Sequence, residues 1–232
     1  MYNTVLLKLS GEALASDKGP FDFDFLNDLA KQIKDIVSKG VKVGIVVGGG
    51  NICRGRTFEK LGLNKEQSDY VGMCATVINA QTVGAALDLN GVKNIVFTTF
   101  PVSRVKDYDP KVANRYLKKG YVCIFGGGTG KPFFSTDTGC ALRAKDIKAD
   151  CILFAKNGTD GVYDSDPNTN PNAKRFKTLS FDDIIKNKLE VIDLAAAKIC
   201  RENNIEGYVF DMSKKDAIKK SVTKKITGTT IK

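Results

Sequence analysis

The chain has 232 residues, 36 Lys plus Arg against 26 Asp plus Glu, and neither histidine nor tryptophan, for a formal net charge of +10. This length fits one α/β domain, or two small ones sharing a core, with no need of disulfide staples, and 42% apolar with 27% charged residues argues against a disordered chain. Without an imidazole, Ser-His-Asp and Cys-His catalysis and HExxH metal sites are excluded, which leaves lysine, arginine, carboxylates, hydroxyls and backbone amides to carry any chemistry.

Taken in chain order, the run from Thr4 to Leu9 (TVLLKL) predicts a first strand whose apolar pattern is broken by Lys8. Phe25, Leu26, Leu29, Ile33, Ile36 and Val37 recur at helical spacing, and Gly40 suits the residue after a helix end. Residues 41–47 (VKVGIVV) predict a buried strand running into Gly48-Gly49-Gly50-Asn51. A long helical pattern from about Ser68 to Leu89 is stopped by Asn90-Gly91. A strand over 92–98, a helix over 110–119 and a strand over 121–125 follow, the last entering a second triplet, Gly126-Gly127-Gly128. Next come a helix over 137–147 and a strand over 151–155. A polar stretch over 156–172 is dense in Asn, Asp, Gly and Pro. The last third predicts helices over 181–186 and 194–203, a strand over 207–210, a lysine-rich helix and a strand over 229–231. Strands separated by helices imply βαβ units: a three-layer αβα sandwich around a mainly parallel sheet, in one domain over 1–232.

The six cysteines form no CxxC pair, and Cys123 and Cys151 sit in apolar runs as small core residues. The N-terminus enters directly into a strand with no signal-peptide pattern. The apolar runs fall well short of the ~20 residues a membrane helix needs, so a cytoplasmic chain is expected. From Asp211 to Lys232 there are seven Lys and two Asp. That is the composition of a solvated helix face, and it also suits attraction of an anion.

Two strands that each end in three glycines point to phosphate binding. Ligands of parallel sheets sit at the carboxyl ends of strands, and glycine lets backbone amides approach an anion. Neither triplet is a standard nucleotide motif. A P-loop would need glycine where Phe125 stands and Ser or Thr where Pro132 stands; GxGxxG fails at Lys131 and at Cys53. Lys8, followed by Ser10-Gly11-Glu12, is costly in a buried strand unless its ammonium meets a partner or an anion. Arg54 lies one helical turn beyond the first triplet, where a guanidinium can hold an anion bidentately. Residues 132–138 (PFFSTDT) offer two aromatics, hydroxyls and Asp137 at a helix start, where a carboxylate also caps. Residues 157–167 (NGTDGVYDSDP) form a turn-rich loop with an aromatic and three acids.

Together these segments resemble the amino-acid kinase superfamily and, within it, the bacterial UMP kinases. The resemblance rests on Lys8 to Glu12, Val47 to Gly55, Asp69 to Thr76 (DYVGMCAT), Gly128 to Asp137 (GTGKPFFSTD) and Asp160 to Pro167, in the family's order over nearly the whole chain. It implies the amino-acid kinase fold, with a UMP-binding lobe over about 1–150 and an ATP-binding lobe over about 151–232. It implies phosphoryl transfer from Mg-ATP to UMP in pyrimidine nucleotide synthesis, with Lys8, Arg54 and Asp137 catalytic. ATP would be held by Lys8, Leu9, Ser10, Gly11, Gly50, Arg54, Asn157, Tyr163 and Asp166. UMP would be held by Gly49, Asp69, Thr129, Gly130, Lys131, Pro132, Phe133, Phe134, Ser135 and Thr136. Asp193 would join Asp137 in organising the cations; no protein ligand of Mg²⁺ is identified.

A homohexamer and feedback inhibition by UTP are also implied. Ser135 stands where the family more often has Thr, and Lys131 where it has Asn. Residues 19–24 (GPFDFD) lack the second glycine of the family's Gly-Phe-Gly stretch, a region tied to GTP activation, so GTP activation is not carried over. Two other readings stand beside this one. A sister kinase acting on a carboxylate or carbamate would not need the aromatics at 133–134, and a basic nucleic-acid-binding regulator would bind in a strongly salt-dependent way.

Overall fold

The computed structural model describes residues 1–53, 58, 60–167, 169–187, 189 and 191–232. Its first strand, β1 (Thr4–Leu9), pairs in parallel with β2 (Lys42–Val47) on one side and with β6 (Cys151–Lys156) on the other. Beyond β2 lie β5 (Val122–Gly126), β3 (Asn94–Thr98) and the two-residue β4 (Lys106–Asp107); beyond β6 lie β8 (Glu206–Asp211), β9 (Gly228–Ile231) and β7 (Thr178–Leu179). The β8–β9 pair is antiparallel and every other pair is parallel.

Period-2 alternation splits the strands between two cores. Val5, Leu7 and Leu9 of β1 face a layer made of α1 (Phe23–Ser38), α2 (Lys65–Leu89) and α7 (Ala217–Ser221). Leu6 faces the opposite layer of α3 (Pro110–Lys118), α4 (Thr136–Asp146), α5 (Phe181–Asn187) and α6 (Leu194–Glu202). The expected three-layer sandwich is the architecture found, since a parallel sheet exposes apolar side chains on both faces and needs a helical layer over each.

Local chemistry sets where the helices begin. Asp22 accepts from the N–H groups of Asp24 and Phe25 at 3.0 Å each to start α1, and Asn64 and Gln67 form a capping box at α2. Asp109 caps α3 ahead of Pro110, Ser135 caps α4 and Asp193 caps α6. Because of the Asn64 box, α2 starts at Lys65, three residues before the apolar pattern suggested. The strands β4 and β7 are too short for a periodicity signal and were not foreseen.

By length and composition α2 is long and apolar enough to cross a membrane, a test that the buried core helix of a globular fold also passes. Half of that window is buried in the core, and the helix packs against α1, β3 and β5. It is a core helix of the sandwich, and Ser68, Thr76 and Asn79 are buried on it.

Candidate active site

Alternation places Lys8 on the same face of β1 as Leu6, toward α4. Because β1 is central, Lys8 is no solvent-facing edge residue: its side chain is 14% exposed, and its Nζ lies 2.9 Å from Asp137 Oδ1 at the start of α4. The same alternation on β6 puts Ile152 and Phe154 in that core and aims Lys156, at the strand's end, toward the same region. Lys156 donates to the Val191 carbonyl at 3.2 Å. Burial, then the neighbouring Lys8 ammonium, hold its pKa below the usual lysine value, and Asp137 opposes them. Lys8, Asp137 and Lys156 therefore form one electrostatic cluster at the carboxyl edge of the sheet. Lys156 was missed in the sequence, where a lysine closing an apolar run reads as a strand exit.

The first glycine triplet lies beside this cluster. Gly48 donates its N–H to the Leu9 carbonyl at 3.0 Å, and the Gly11 nitrogen would lie 3.2 Å from a β-carbon on Gly48. Gly49 presses on α2, where a β-carbon would meet Ala75 Cβ and the Gly72 carbonyl oxygen at 2.9 Å. The second triplet behaves differently. Gly127 and Gly128 take positive φ (79° and 58°), and the Gly127 N–H is spent on Thr76 Oγ1 at 2.8 Å. It is a turn that supports the wall of a cavity, while in the first triplet the N–H groups of Gly49 and Gly50 donate no hydrogen bond among the described residues.

That cavity, of about 190 Å³, is lined by Gly49, Gly50, Cys53, Asp69, Thr129, Lys131, Phe134, Ser135 and Thr136, together with Ser68, Gly72, Met73, Thr76 and Gly128. Seven of the ten residues expected at the UMP site thus share one cavity: Gly49, Asp69, Thr129, Lys131, Phe134, Ser135 and Thr136. Gly130, Pro132 and Phe133 stand outside the lining. Phe133 has φ 68° and donates its N–H to Asp69 Oδ2 at 2.7 Å, tying the loop to α2, while Lys65 Nζ holds Asp69 Oδ1 at 2.5 Å. The N-terminus of α4, with its positive dipole end, opens at Ser135 and Thr136 in the cavity wall.

A second cavity, of about 540 Å³, is lined by Lys156 and by residues 159 and 161–167, including Tyr163 and Asp166, with Leu189, Val191 and Val209 beneath. Tyr163 donates to Asp160 Oδ1 at 2.6 Å, which raises its phenol pKa. Asn157, expected with Tyr163 and Asp166, lines a separate cavity with Glu12, Lys214 and Lys215. Arg54 lies outside the described residues. Leu9, Ser10 and Gly11 lead from β1 into the 3-10 turn Gly11–Leu14.

Asp193 is fully engaged. It caps α6 through the Ala196 N–H at 2.8 Å and accepts from the hydroxyls of Ser135 and Thr138 on the α4 terminus. Among the described residues no group of three or more His, Cys, Asp or Glu side chains is arranged to hold a metal ion. The carboxylates here brace the lysines and the helix ends.

A parallel sheet with an amide cradle, a lysine pair and two cavities along its carboxyl edge defines an α/β phosphate-handling protein. The Amino acid kinase family profile matches residues 3–211. The uridylate kinase of Mycoplasmopsis pulmonis is 41% identical over 100% of this chain and 97% of its own length; that of Limosilactobacillus reuteri is 46% identical over 99% and 97%. The crystal structure of UMP kinase from Ureaplasma parvum superposes with a TM-score of 0.95 at 38% identity, covering 100% of this chain and 99% of that one. The uridylate kinase structure from Archaeoglobus fulgidus matches at 0.74 and 29% identity, over 98% and 99%. This chain belongs to the amino acid kinase family, among its uridylate kinases.

Proposed function

We propose that this protein transfers the γ-phosphoryl group of Mg-ATP to UMP, giving ADP and UDP. The observation that carries the reading is the cluster of Lys8, Asp137 and Lys156 at the carboxyl edge of the sheet. Asp137 follows the wall residue Thr136 of the first cavity, and Lys156 lines the second. UMP occupies the cavity of Gly49, Asp69 and residues 129–136, its ribose hydroxyls donating to Asp69. The ATP nucleoside lies along Tyr163 and Asp166, and its phosphates reach Ser10, Gly11 and Gly50.

An ionised oxygen of the UMP phosphate attacks the γ-phosphorus in line, and the bond from that phosphorus to the β,γ-bridging oxygen breaks as ADP leaves. The acceptor is already an anion, so no general base is needed. Lys8 and Lys156, with Arg54 and the glycine amides, stabilise charge migrating across the transferring oxygens. Asp137 orients Lys8, and Asp193 fixes the α4 terminus that carries Asp137. Mg²⁺ arrives as part of the ATP substrate and neutralises its phosphate charge.

A coupled ADP-release assay with Mg-ATP and UMP, CMP, dTMP, aspartate or carbamate tests the reading, which fails if turnover is confined to the two acids. We place the enzyme in the cytoplasm, in pyrimidine nucleotide synthesis, as a homohexamer. The exposed apolar side chains Tyr70, Ile78 and Leu89 on α2 and Phe23 on α1 support self-association. UTP, sharing the uracil and ribose of UMP, would compete for the first cavity; size-exclusion chromatography with light scattering and UTP inhibition kinetics check these two points.

A further inference from the structure

Asn79 is fully buried midway along α2, among the buried apolar side chains of Ala75, Val77, Ala80 and Val83. Burying an amide is costly unless its donors and acceptor are met. Asn79 meets them outside its own helix: Nδ2 donates to the Gly48 carbonyl at 2.6 Å and to Asn51 Oδ1 at 2.7 Å, and Oδ1 accepts from Asn51 Nδ2 at 3.1 Å. The first glycine of the triplet and the residue that follows the triplet are thereby fastened to one side chain.

The consequence follows from peptide planarity. The Gly48 carbonyl and the Gly49 N–H belong to one trans peptide and point in opposite directions. Holding the carbonyl inward on α2 turns the Gly49 N–H away from the helix. Among the described residues neither Gly49 N–H nor Gly50 N–H donates a hydrogen bond, and both residues line the first cavity. We propose that Asn79 is the positioning residue of the phosphate cradle: its carboxamide sets the orientation of the Gly48–Gly49 peptide and so aims the amide that receives the phosphate of the mononucleotide. This rests on reading the first cavity as the UMP site.

Asn79→Asp tests it, because the shape is kept while an oxygen replaces the donor facing the Gly48 carbonyl. Steady-state kinetics would give KM for UMP and kcat, and competition would give Ki for uridine, which has the base and ribose but no phosphate. The expected result is a KM for UMP raised about tenfold or more, with kcat within about threefold and Ki for uridine unchanged. Equal weakening of UMP and uridine, or no change in either, would overturn the role of Asn79. Wild-type protein that holds uridine as tightly as UMP would instead overturn the phosphate reading of the cavity. If Asn79→Asp does not fold, Asn51→Ala removes the other half of the amide pair. It should weaken UMP about threefold and spare uridine; loss of both together overturns the proposal.

Discussion

Gly11 and Gly50 approach so closely that a β-carbon on Gly11 would lie 2.5 Å from the Gly50 nitrogen and 2.6 Å from the Gly48 carbonyl oxygen. The turn after β1 and the turn after β2 are thus in backbone contact, and this contact shapes the cradle. Gly11→Ala forces the two turns apart. It should cost about 1–3 kcal/mol of stability, as overpacking does, and most of the activity. Thermal unfolding and turnover measured together check it; full activity at an unchanged melting temperature would show that the turns tolerate separation.

Lys8→Met keeps the aliphatic stem beneath α4 and removes the ammonium. We expect a fall in kcat of roughly 10²–10³-fold, about 3–4 kcal/mol of lost transition-state stabilisation, with near-normal folding. Turnover within a factor of a few of wild type in a folded variant would remove Lys8 from the chemistry.

Lys156→Met makes a paired prediction. Turnover should fall by roughly 10²-fold if the ammonium steadies the transferring group. Stability should move the other way. The lysine's folded pKa is depressed, chiefly by burial and next by Lys8, so the unfolded chain binds more protons in the window between that pKa and 10.5. The burial penalty of the charged form is fully present below the folded pKa and disappears as pH rises toward 10.5. Urea denaturation across this range should find the variant more stable at neutral pH, with the gap closing in alkali; a gap constant with pH contradicts the assignment.

Asp69→Asn leaves a polar group for the Phe133 N–H but gives up the charge that we propose receives the UMP ribose hydroxyls. The KM for UMP should rise about 10-fold or more while KM for ATP holds steady. Parallel changes in both constants would place Asp69 outside the UMP site.

Asp193→Ala removes the α6 cap and the acceptor of the Ser135 and Thr138 hydroxyls together. The cap alone is worth about 1 kcal/mol. A larger loss in melting stability, accompanied by reduced kcat, is expected because the α4 terminus that holds Asp137 is released.

Much of this was legible along the chain, and the reason is local. The helices read from 110 and from about 137 begin at Pro110 and Thr136, and both glycine triplets stand at strand ends as read, but the cap of the second helix is Ser135 and not Asp137, which lies inside the first turn. The motif segments put Lys8 and Asp137 in one catalytic set and grouped seven of the first cavity's wall residues; the structure makes the two an ion pair. The apolar pattern of α2 hid Asn79 and Thr76, because a helix apolar on both sides does not declare which positions face a loop.

By itself the sequence determined the longer elements, though not the two-residue strands β4 and β7, together with the αβα class and the residue types able to handle phosphate, since periodicity and turn chemistry act over a few residues. Only the tertiary structure decided that β1 lies between β2 and β6. Strand order depends on how crossovers pack, a non-local outcome. That order sets Lys8 beside the end of β6, brings Lys156 toward Asp137, and lets the turns after β1 and β2 touch at Gly11 and Gly50. Residues far apart in sequence acquire a common electrostatic field only once the sheet has placed them.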